Sequence, residues 1–330
     1  MEGMEKVLIT GITGFVGSHM ADYILKKGIK VYGLKRWNLS RLRNVAHILS
    51  EVEFSDCDLT DPIGISNIIG KIKPTKIFHF AAESGLGPSW THPSHYMDVN
   101  YKGTLNLLEA VRKANITPKI LIASSVAMYG DIPKEHLPMR EETPLNPLNP
   151  YAVSKIAQDY IGYVYHKTYG LYVVRTRAFN IEGPRRDNIF GLPWYAYQIA
   201  LIEKGLQKPI LQSGYVSAKR NFIHVKDIVD AYWLALEHCK PEVYLVGSDK
   251  KENIGTFDEA IKSLIKKSTF KGKIEHKIVE KFIRATNEAV VIGDCRKFYA
   301  VTSWKPQFSC EDIIDDILAY WRDFVKKDLY

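Results

Sequence analysis

A doubly wound parallel α/β sheet with a smaller mixed α/β lobe is the fold this 330-residue sequence predicts, on three observations. Short apolar runs alternate with helical patterns through the first ~180 residues. A glycine-rich loop separates the first run from the first helix. After about residue 184 the rhythm breaks, and Pro184, Pro193 and Pro209 interrupt shorter elements. Taken in order, Val7–Thr10 reads as a buried strand, with a helix near Ser18–Lys27 and a second strand at Val31–Leu34. A third strand precedes Asp58, a helix covers Ile63–Ile72, and Ile77–Phe80 is a fourth strand. A helix at Asn100–Ala114 leads to a fifth strand at Ile120–Ala123. A long helix starts near Tyr151, because Pro150 suits a first helical position, and Leu171–Thr176 is the sixth strand. Strands that alternate with helices imply parallel βαβ units covered on both faces. Residues 1–180 are expected to form the larger lobe, with later segments returning to it. Residues 181–330 form the smaller one, with helices at Phe257–Lys267 and Glu311–Lys327. The cleft between them is the expected site.

Composition narrows the classes. Hydrophobic residues are 46% and charged residues 25%, a globular balance that excludes disorder. No apolar run reaches the ~18–20 residues of a membrane span. The run Met1–Lys6 passes directly into a strand, which points away from a signal peptide and towards the cytoplasm. Cys57, Cys239, Cys295 and Cys310 lie far apart, so neither a zinc site nor a disulfide framework is expected. Lys plus Arg is 45 against 37 for Asp plus Glu, a net charge of +8. Such an excess suits an anionic partner or a lysine-rich solvated surface, and the arginine positions must decide.

Gly11-Ile12-Thr13-Gly14-Phe15-Val16-Gly17 follows the first strand and opens the first helix. Glycines there give a tight turn, close approach to a pyrophosphate and close helix–strand packing, with the helix N-terminus facing the anion. This is the dinucleotide loop of a Rossmann sheet. Lys35-Arg36 stands where NAD-binding folds usually carry an acidic residue for the ribose. Arg36 can hold a 2′-phosphate bidentately and stack on adenine, so NADP is preferred over NAD. Asp58-Leu59 follows the third strand. Asp58 can accept from the adenine amino group or cap the helix near Pro62, and both readings stand.

Ser124-Ser125 ends the fifth strand, and Tyr151-Ala152-Val153-Ser154-Lys155 opens the long helix. Residues i and i+4 share a helix face, so Lys155 can set its ammonium near the Tyr151 phenol and favour the anion. Ser125 can bond the same substrate oxygen. These residues, with Phe80-Ala81-Ala82, Asn100-Tyr101-Lys102-Gly103-Thr104, Tyr129-Gly130, Arg177-Ala178-Phe179-Asn180, Gly183-Pro184-Arg185-Arg186 and Trp304-Lys305-Pro306, resemble the extended short-chain dehydrogenase/reductases, nucleotide-sugar branch. The resemblance covers nearly the whole chain. Within that branch the sequence is most similar to the group of GDP-mannose 4,6-dehydratases and GDP-4-keto-6-deoxymannose reductases.

The resemblance implies a catalytic set of Ser125, Tyr151 and Lys155. It implies cofactor contacts from Gly11, Thr13, Gly14, Phe15, Val16, Gly17, Arg36, Asp58, Leu59, Ala81, Ala82, Asn100, Tyr151 and Lys155. Substrate contacts are expected from Ser84, Asn180, Arg220, Arg284 and Glu288, with Arg220 and Arg284 on the diphosphate of a nucleotide sugar, GDP-linked by preference. Asn221 replaces the family's usual Asp, and Asn287 its usual ribose-binding Glu, leaving Glu288 one place later. Family dehydratases also carry a Glu two residues after the position of Ser125, as base and acid at C5 and C6. Here Val126-Ala127 follows instead, and neither can transfer a proton. The expected reaction is therefore reduction of a GDP-4-keto-6-deoxy-hexose, with 4,6-dehydration or 4-epimerisation as alternatives. Glu83 and His79 are the nearest substitutes by sequence, although His79, inside an apolar strand, reads as a core residue. The resemblance further implies a homodimer or homotetramer, through Ile156, Tyr160, Tyr163 and Val164 on the long helix unless these are core, and through Arg185-Arg186 reaching a neighbour's NADP. Trp194, Tyr195 and Tyr197 are explained by stacking or packing, and neither nucleic acid nor membrane is expected as a partner.

Overall fold

The computed structural model describes residues 5–283 and 290–327. Strand β1 (Lys6–Thr10) leads into helix α1 (Phe15–Leu25), followed by β2 (Lys30–Lys35), β3 (Glu53–Asp56), α2 (Pro62–Ile72) and β4 (Lys76–His79). Two short helices, α3 (Leu86–Thr91) and α4 (Pro93–Tyr96), run through a wide π-type turn at Met97–Lys102 into α5 (Gly103–Lys113). Then come β5 (Lys119–Ser125), the long α6 (Pro150–Tyr169), β6 (Tyr172–Ala178), β7 (Asn180–Glu182) and α7 (Gly191–Glu203). The remainder is β8 (Ile210–Ser213), β9 (Lys219–His224), α8 (Val225–His238), β10 (Val243–Val246), β11 (Ile254–Thr256), α9 (Phe257–Lys266), β12 (Glu275–Ile278), β13 (Val290–Val291), α10 (Arg296–Thr302) and α11 (Cys310–Lys327).

Seven strands form one parallel sheet in the order β10-β6-β5-β4-β1-β2-β3. Successive side chains of a strand face opposite sides, and both sides here are dry. Val7, Ile9, Phe78, Leu121 and Val174 pack on one face against residues of α1 and α8, including Met20, Ile24, Ile228 and Leu236. Leu8, Ile77, Ile120, Ile122 and Val173 pack on the other against α2, α5 and α6, including Ile69, Leu107, Val111 and Tyr165. The strand order reverses between β1 and β4, so their carboxyl ends flank the crevice where ligands bind in such sheets.

A second apolar cluster joins α7, α9 and α11 to Leu211 and Phe222, with Trp321 among its buried side chains. Around it, β9 pairs parallel with β7 and β13 and antiparallel with β11, while β8 pairs parallel with β12. Trp194, Tyr195 and Tyr197 lie on α7 against Phe282, Phe257 and Trp321, which makes them packing aromatics.

Three elements differ from the sequence expectation. Helix α1 begins at Phe15, within the glycine loop, because Gly14 already stands as its N-cap. The helix expected from Asn100 starts as the π turn, and its regular part begins at Gly103. The strand β10, a four-residue run behind Lys240-Pro241, joins the large sheet beside β6 and was not anticipated individually. Among the described residues, no helix is long and apolar enough to cross a membrane. All four cysteines are free, and no His, Cys, Asp or Glu cluster among the described residues could hold a metal.

Candidate active site

The site begins at the β1–α1 turn. Gly11 has φ +70°, and a Cβ added there would come within 2.7 Å of the Ala81 nitrogen. A Cβ on Gly17 would lie 2.2 Å from the Gly11 carbonyl oxygen, so α1 can close onto the turn only with glycine. The N-cap, Gly14, is exposed, offers no side chain to the first-turn N–H groups, and has no acidic residue after it. The Gly14 amide is used on the Gly11 carbonyl at 3.0 Å, so the amides of Phe15, Val16 and Gly17 and the positive helix end are left for an anion. This cradle fits the pyrophosphate of a dinucleotide, with Gly11, Thr13, Gly14, Phe15, Val16 and Gly17 around it. The Asn44 amide donates to the Thr13 carbonyl at 3.2 Å and ties the loop to the segment after β2, a contact sequence reasoning did not find.

Arg36 stands exposed just past β2, while its neighbour Lys35 is spent on an ion pair with Asp56. Asp58 accepts from the Thr60 amide and hydroxyl at 2.8 and 2.7 Å, and those bonds hold its carboxyl below the usual range although partial burial opposes them. Arg36 adds to that lowering, which places the two side chains in one electrostatic neighbourhood. The cap of α2 is Asp61, whose carboxylate accepts from the Ile63 amide at 2.9 Å. The capping alternative for Asp58 therefore falls, because a nearer carboxylate holds the cap. Leu59 is buried against Gly103, and its carbonyl accepts from Asn106.

Past β4, the Ala81 amide donates to the Thr10 hydroxyl at 3.2 Å, fixing Ala81 and Ala82 beside the glycine turn. Asn100, expected as a cofactor contact, is fully buried and acts on the protein instead. Its amide oxygen accepts from the Glu83 N–H at 2.8 Å, and its nitrogen donates to the Glu83 carbonyl and the Ser154 hydroxyl at 3.0 and 2.8 Å. Both its N–H groups are used, so its part is to clamp the loop that bears Ser84. Ser84 itself is exposed.

Helix α6 carries Tyr151 and Lys155, the pair expected to be catalytic. Asn149 caps it by accepting from the Ala152 amide at 2.9 Å, a bond worth about 1 kcal/mol, with Pro150 in its first turn. This aims Tyr151 at the end of β5, where its phenol bonds with Ser125. Burial raises the Tyr151 pKa, while the Ser125 bond and the Arg186 charge pull it down. Lys155 is buried, and its pKa is lowered to about 7 by loss of water, against the pull of Asp159. Its ammonium does not meet the Tyr151 phenol as the i, i+4 spacing suggests. It donates to the Ala123 carbonyl of β5 at 2.5 Å and to the side-chain oxygen of Gln158, three residues on in the same helix, while the phenol turns to Ser125. After Ser125, Val126 is buried and Ala127 contributes only its amide, which donates to the Ser125 hydroxyl at 3.2 Å.

The expected substrate residues are scattered more widely. Asn180 starts β7 and pairs with Phe222 of β9. Arg220 is buried in β9 and donates to the Lys219 carbonyl, so it is no surface charge. Arg284 and Glu288 lie outside the described residues. Asn221 donates to the Ser248 carbonyl at 2.6 Å and accepts from the Ser248 amide at 3.0 Å. Only an amide can do both, which accounts for Asn in place of Asp. Arg185 and Arg186 turn inward on their own chain, pairing with Asp22 at 2.8 Å and with buried Glu182, so neither is extended towards a neighbour. His79 is fully buried with both ring nitrogens bonded, a core histidine as the sequence suggested. Tyr160, Tyr163 and Val164 are exposed on α6 and are not core.

The model of the GDP-mannose 4,6-dehydratase family matches residues 8–317. The chain belongs to this family. It is thereby one of the extended short-chain dehydrogenase/reductases, as its motifs indicate. The GDP-mannose 4,6-dehydratase of Yersinia enterocolitica is 31% identical over 350 residues, covering 96% of this chain and 93% of that protein. Among solved structures, RMD from Pseudomonas aeruginosa complexed with NADPH superposes with a TM-score of 0.82 at 27% identity, covering 97% of this chain and 99% of that one. The dTDP-glucose 4,6-dehydratase of Bacillus anthracis in complex with NAD gives 0.83 at 26% identity, covering 99% and 100%. The seven-stranded sheet flanked by helices is thus shared with these nucleotide-sugar enzymes.

Proposed function

We propose that this protein transfers a hydride at C4 of a nucleotide-diphosphate hexose, GDP-linked, with NADP as cofactor. The observation that carries the reading is the pairing of Ser125 with Tyr151 at the end of β5, with buried Lys155 bonded to the Ala123 carbonyl of the same strand, beside a glycine cradle that suits a dinucleotide. When bound, the nicotinamide supplies the hydride acceptor or donor. The rest falls to the chain. Tyr151 exchanges a proton with the oxygen on C4, Ser125 holds that oxygen, Arg186 favours the anionic form of the phenol, and Lys155 anchors the helix that carries Tyr151 on the Ala123 carbonyl. Exposed Arg36 favours NADP, and the NADPH in the Pseudomonas structure supports that choice.

GDP-mannose 4,6-dehydration is the overall reaction with the most support, because the family and the Yersinia relative bear that name across nearly the whole chain. It takes the leading place from the 4-keto reduction expected on sequence grounds. Reduction stays as a second reading on one specific observation. Val126 and Ala127 carry no proton-transfer group, and burial keeps Tyr151 in the phenol form that a ketone reduction consumes. His79 cannot replace the missing acid, since it is sealed among Thr10 and Thr104. Dehydration would draw on Glu83, whose partly exposed carboxylate lies 3.4 Å from His95.

Incubation with GDP-mannose and NADP decides between them. A 4-keto-6-deoxy product supports dehydration. No such product, with steady NADPH consumption on a GDP-4-keto-6-deoxy sugar, supports reduction. The exposed Val153, Tyr160, Tyr163 and Val164 on α6 support a homodimer through that helix, and a monomer by light scattering would remove it.

A further inference from the structure

Beneath the catalytic helix lies a closed chain of buried polar groups whose proton positions follow from donor counting. The Asn100 main-chain oxygen can only accept, and the Thr104 hydroxyl lies 2.7 Å from it, so the single Thr104 proton goes there. Both lone pairs of that hydroxyl must then receive hydrogens. One comes from the Gln158 amide nitrogen at 2.8 Å, the other from the His79 Nε2 at 2.7 Å. His79 is therefore protonated on Nε2; full burial, with the charge of Lys155, lowers its pKa to about 3 and keeps it neutral, so its Nδ1 accepts from the Thr10 hydroxyl at 2.8 Å. The Thr10 oxygen in turn accepts from Ala81. With its nitrogen held by Thr104, Gln158 can present only its oxygen to Lys155. Thr104, His79, Gln158 and Lys155 are all buried, so no water competes for these bonds.

We propose that Gln158 is a positioning residue for Lys155, and that the Nε2–H tautomer of His79, acting through Thr104, fixes the direction of the Gln158 amide. Turned the other way, the amide would aim N–H groups at an ammonium. The chain ties the end of β1, the loop after β4 and α5 to the catalytic lysine, so the cradle and the catalytic helix share one polar frame. Two of the three Lys155 donors are consumed by Ala123 and Gln158. The charged groups facing Lys155 are Asp159 on its own helix, held between Arg175 and Arg177 of β6, with neutral His79 from β4 and Tyr151 one turn back. The inference rests on the proposed function only for the role of Lys155.

Long-range proton–nitrogen NMR of the full chain reads the His79 ring directly. The expected result is a neutral Nε2–H tautomer from pH 5 to 9. An Nδ1–H tautomer, or titration within that range, overturns the proposal. Thr104→Val removes the shared acceptor, whereas Thr104→Ser keeps it. In Thr104→Val the Lys155 amine, followed by labelled-lysine NMR, is expected to titrate roughly one pH unit lower. Its kcat is expected to fall on the order of 10-fold with KM within about 2-fold, because a bond to a charged group has lost its anchor. Thr104→Ser should restore both. Gln158→Leu should repeat the Thr104→Val effect, and the double variant should add nothing further. If Thr104→Val does not fold, Gln158→Glu serves, and Lys155 should then titrate roughly one unit higher. Wild-type Lys155 titration in the folded variants overturns the proposal. Neither NMR measurement needs a substrate, so a failed reaction assay and a failed relay remain distinguishable.

Discussion

The strand ends around β1, β4 and β5 and the strands around β9 handle polar residues in opposite ways. At the first, Ser125 ends its strand with Tyr151 facing it, and the polar atoms beneath them are tied to one another: Thr10, His79, Thr104 and Asn100. At the second, Arg220 and Asn221 sit inside a strand, buried, and Asn221 is spent on Ser248. The first arrangement builds a rigid frame and leaves two hydroxyls, those of Ser125 and Tyr151, at its rim. The second uses buried polar groups to hold loops together. Chemistry that must be aimed within a fraction of an ångström belongs on the first.

Substitutions can sharpen or break this contrast. Tyr151→Phe should lower kcat by roughly 10²–10⁴-fold while leaving the melting temperature nearly unchanged, since only one hydroxyl at the rim is lost. A large loss of stability would place Tyr151 in the frame instead. Gly17→Val puts a Cβ 2.2 Å from the Gly11 oxygen. Overpacking there should cost about 1–3 kcal/mol in a denaturant melt and weaken dinucleotide binding in a fluorescence titration. Arg36→Glu should raise the Kd for NADP by about 10–100-fold and leave that for NAD within about 3-fold, because a charge-assisted pair with the 2′-phosphate becomes a repulsion. Equal changes for both cofactors would remove Arg36 from the phosphate. In the second region, Asn221→Asp sets a carboxylate against the Ser248 carbonyl 2.6 Å away. A loss of about 1–3 kcal/mol in melting is expected.

The smallest effect is a pH slope. Lys155 has a folded pKa of about 7, below its ordinary value of about 10.4. Between those values the unfolded chain carries a proton that the native one lacks, so stability rises with pH across pH 7–9 by up to about 1 kcal/mol per unit. Below pH 7 the buried charge must be borne in full. Lys155→Met should flatten that part of the melting curve, and an unchanged slope would assign it to other groups.

How much of this could be read from the residues alone follows the same division. Gly11, Gly14 and Gly17 announce the cradle, because only close backbone approach requires glycine at such spacing. Ser125 and Tyr151 were legible from strand-end and helix-start positions. The direction of Lys155 was not, since an i, i+4 spacing places two side chains on one face without saying which acceptor wins, and Ala123 on β5 and Gln158 one turn on both offer nearer oxygens. Asn100 looked like a ligand because it stands in a ligand-binding motif, yet its amide is consumed by Glu83 and Ser154. Asp58 and Asp61 both suit a cap, and only three residues of geometry separate them. Around β9, pairing joins residues more than thirty positions apart, which no local pattern reports.

The parallel pairing of β10 with β6 carries a consequence for how the chain is made. Residues 179–242, 64 in all, lie between the two strands. At ordinary rates of synthesis the sheet stays open at β6 for roughly 3–13 s. Throughout that interval one edge of Tyr172–Ala178 has unpaired main-chain groups, open to another strand, while the other is paired with β5. A chain stopped before Val243 would leave that edge of the sheet open, because the strand that closes it is the last of the seven to be made.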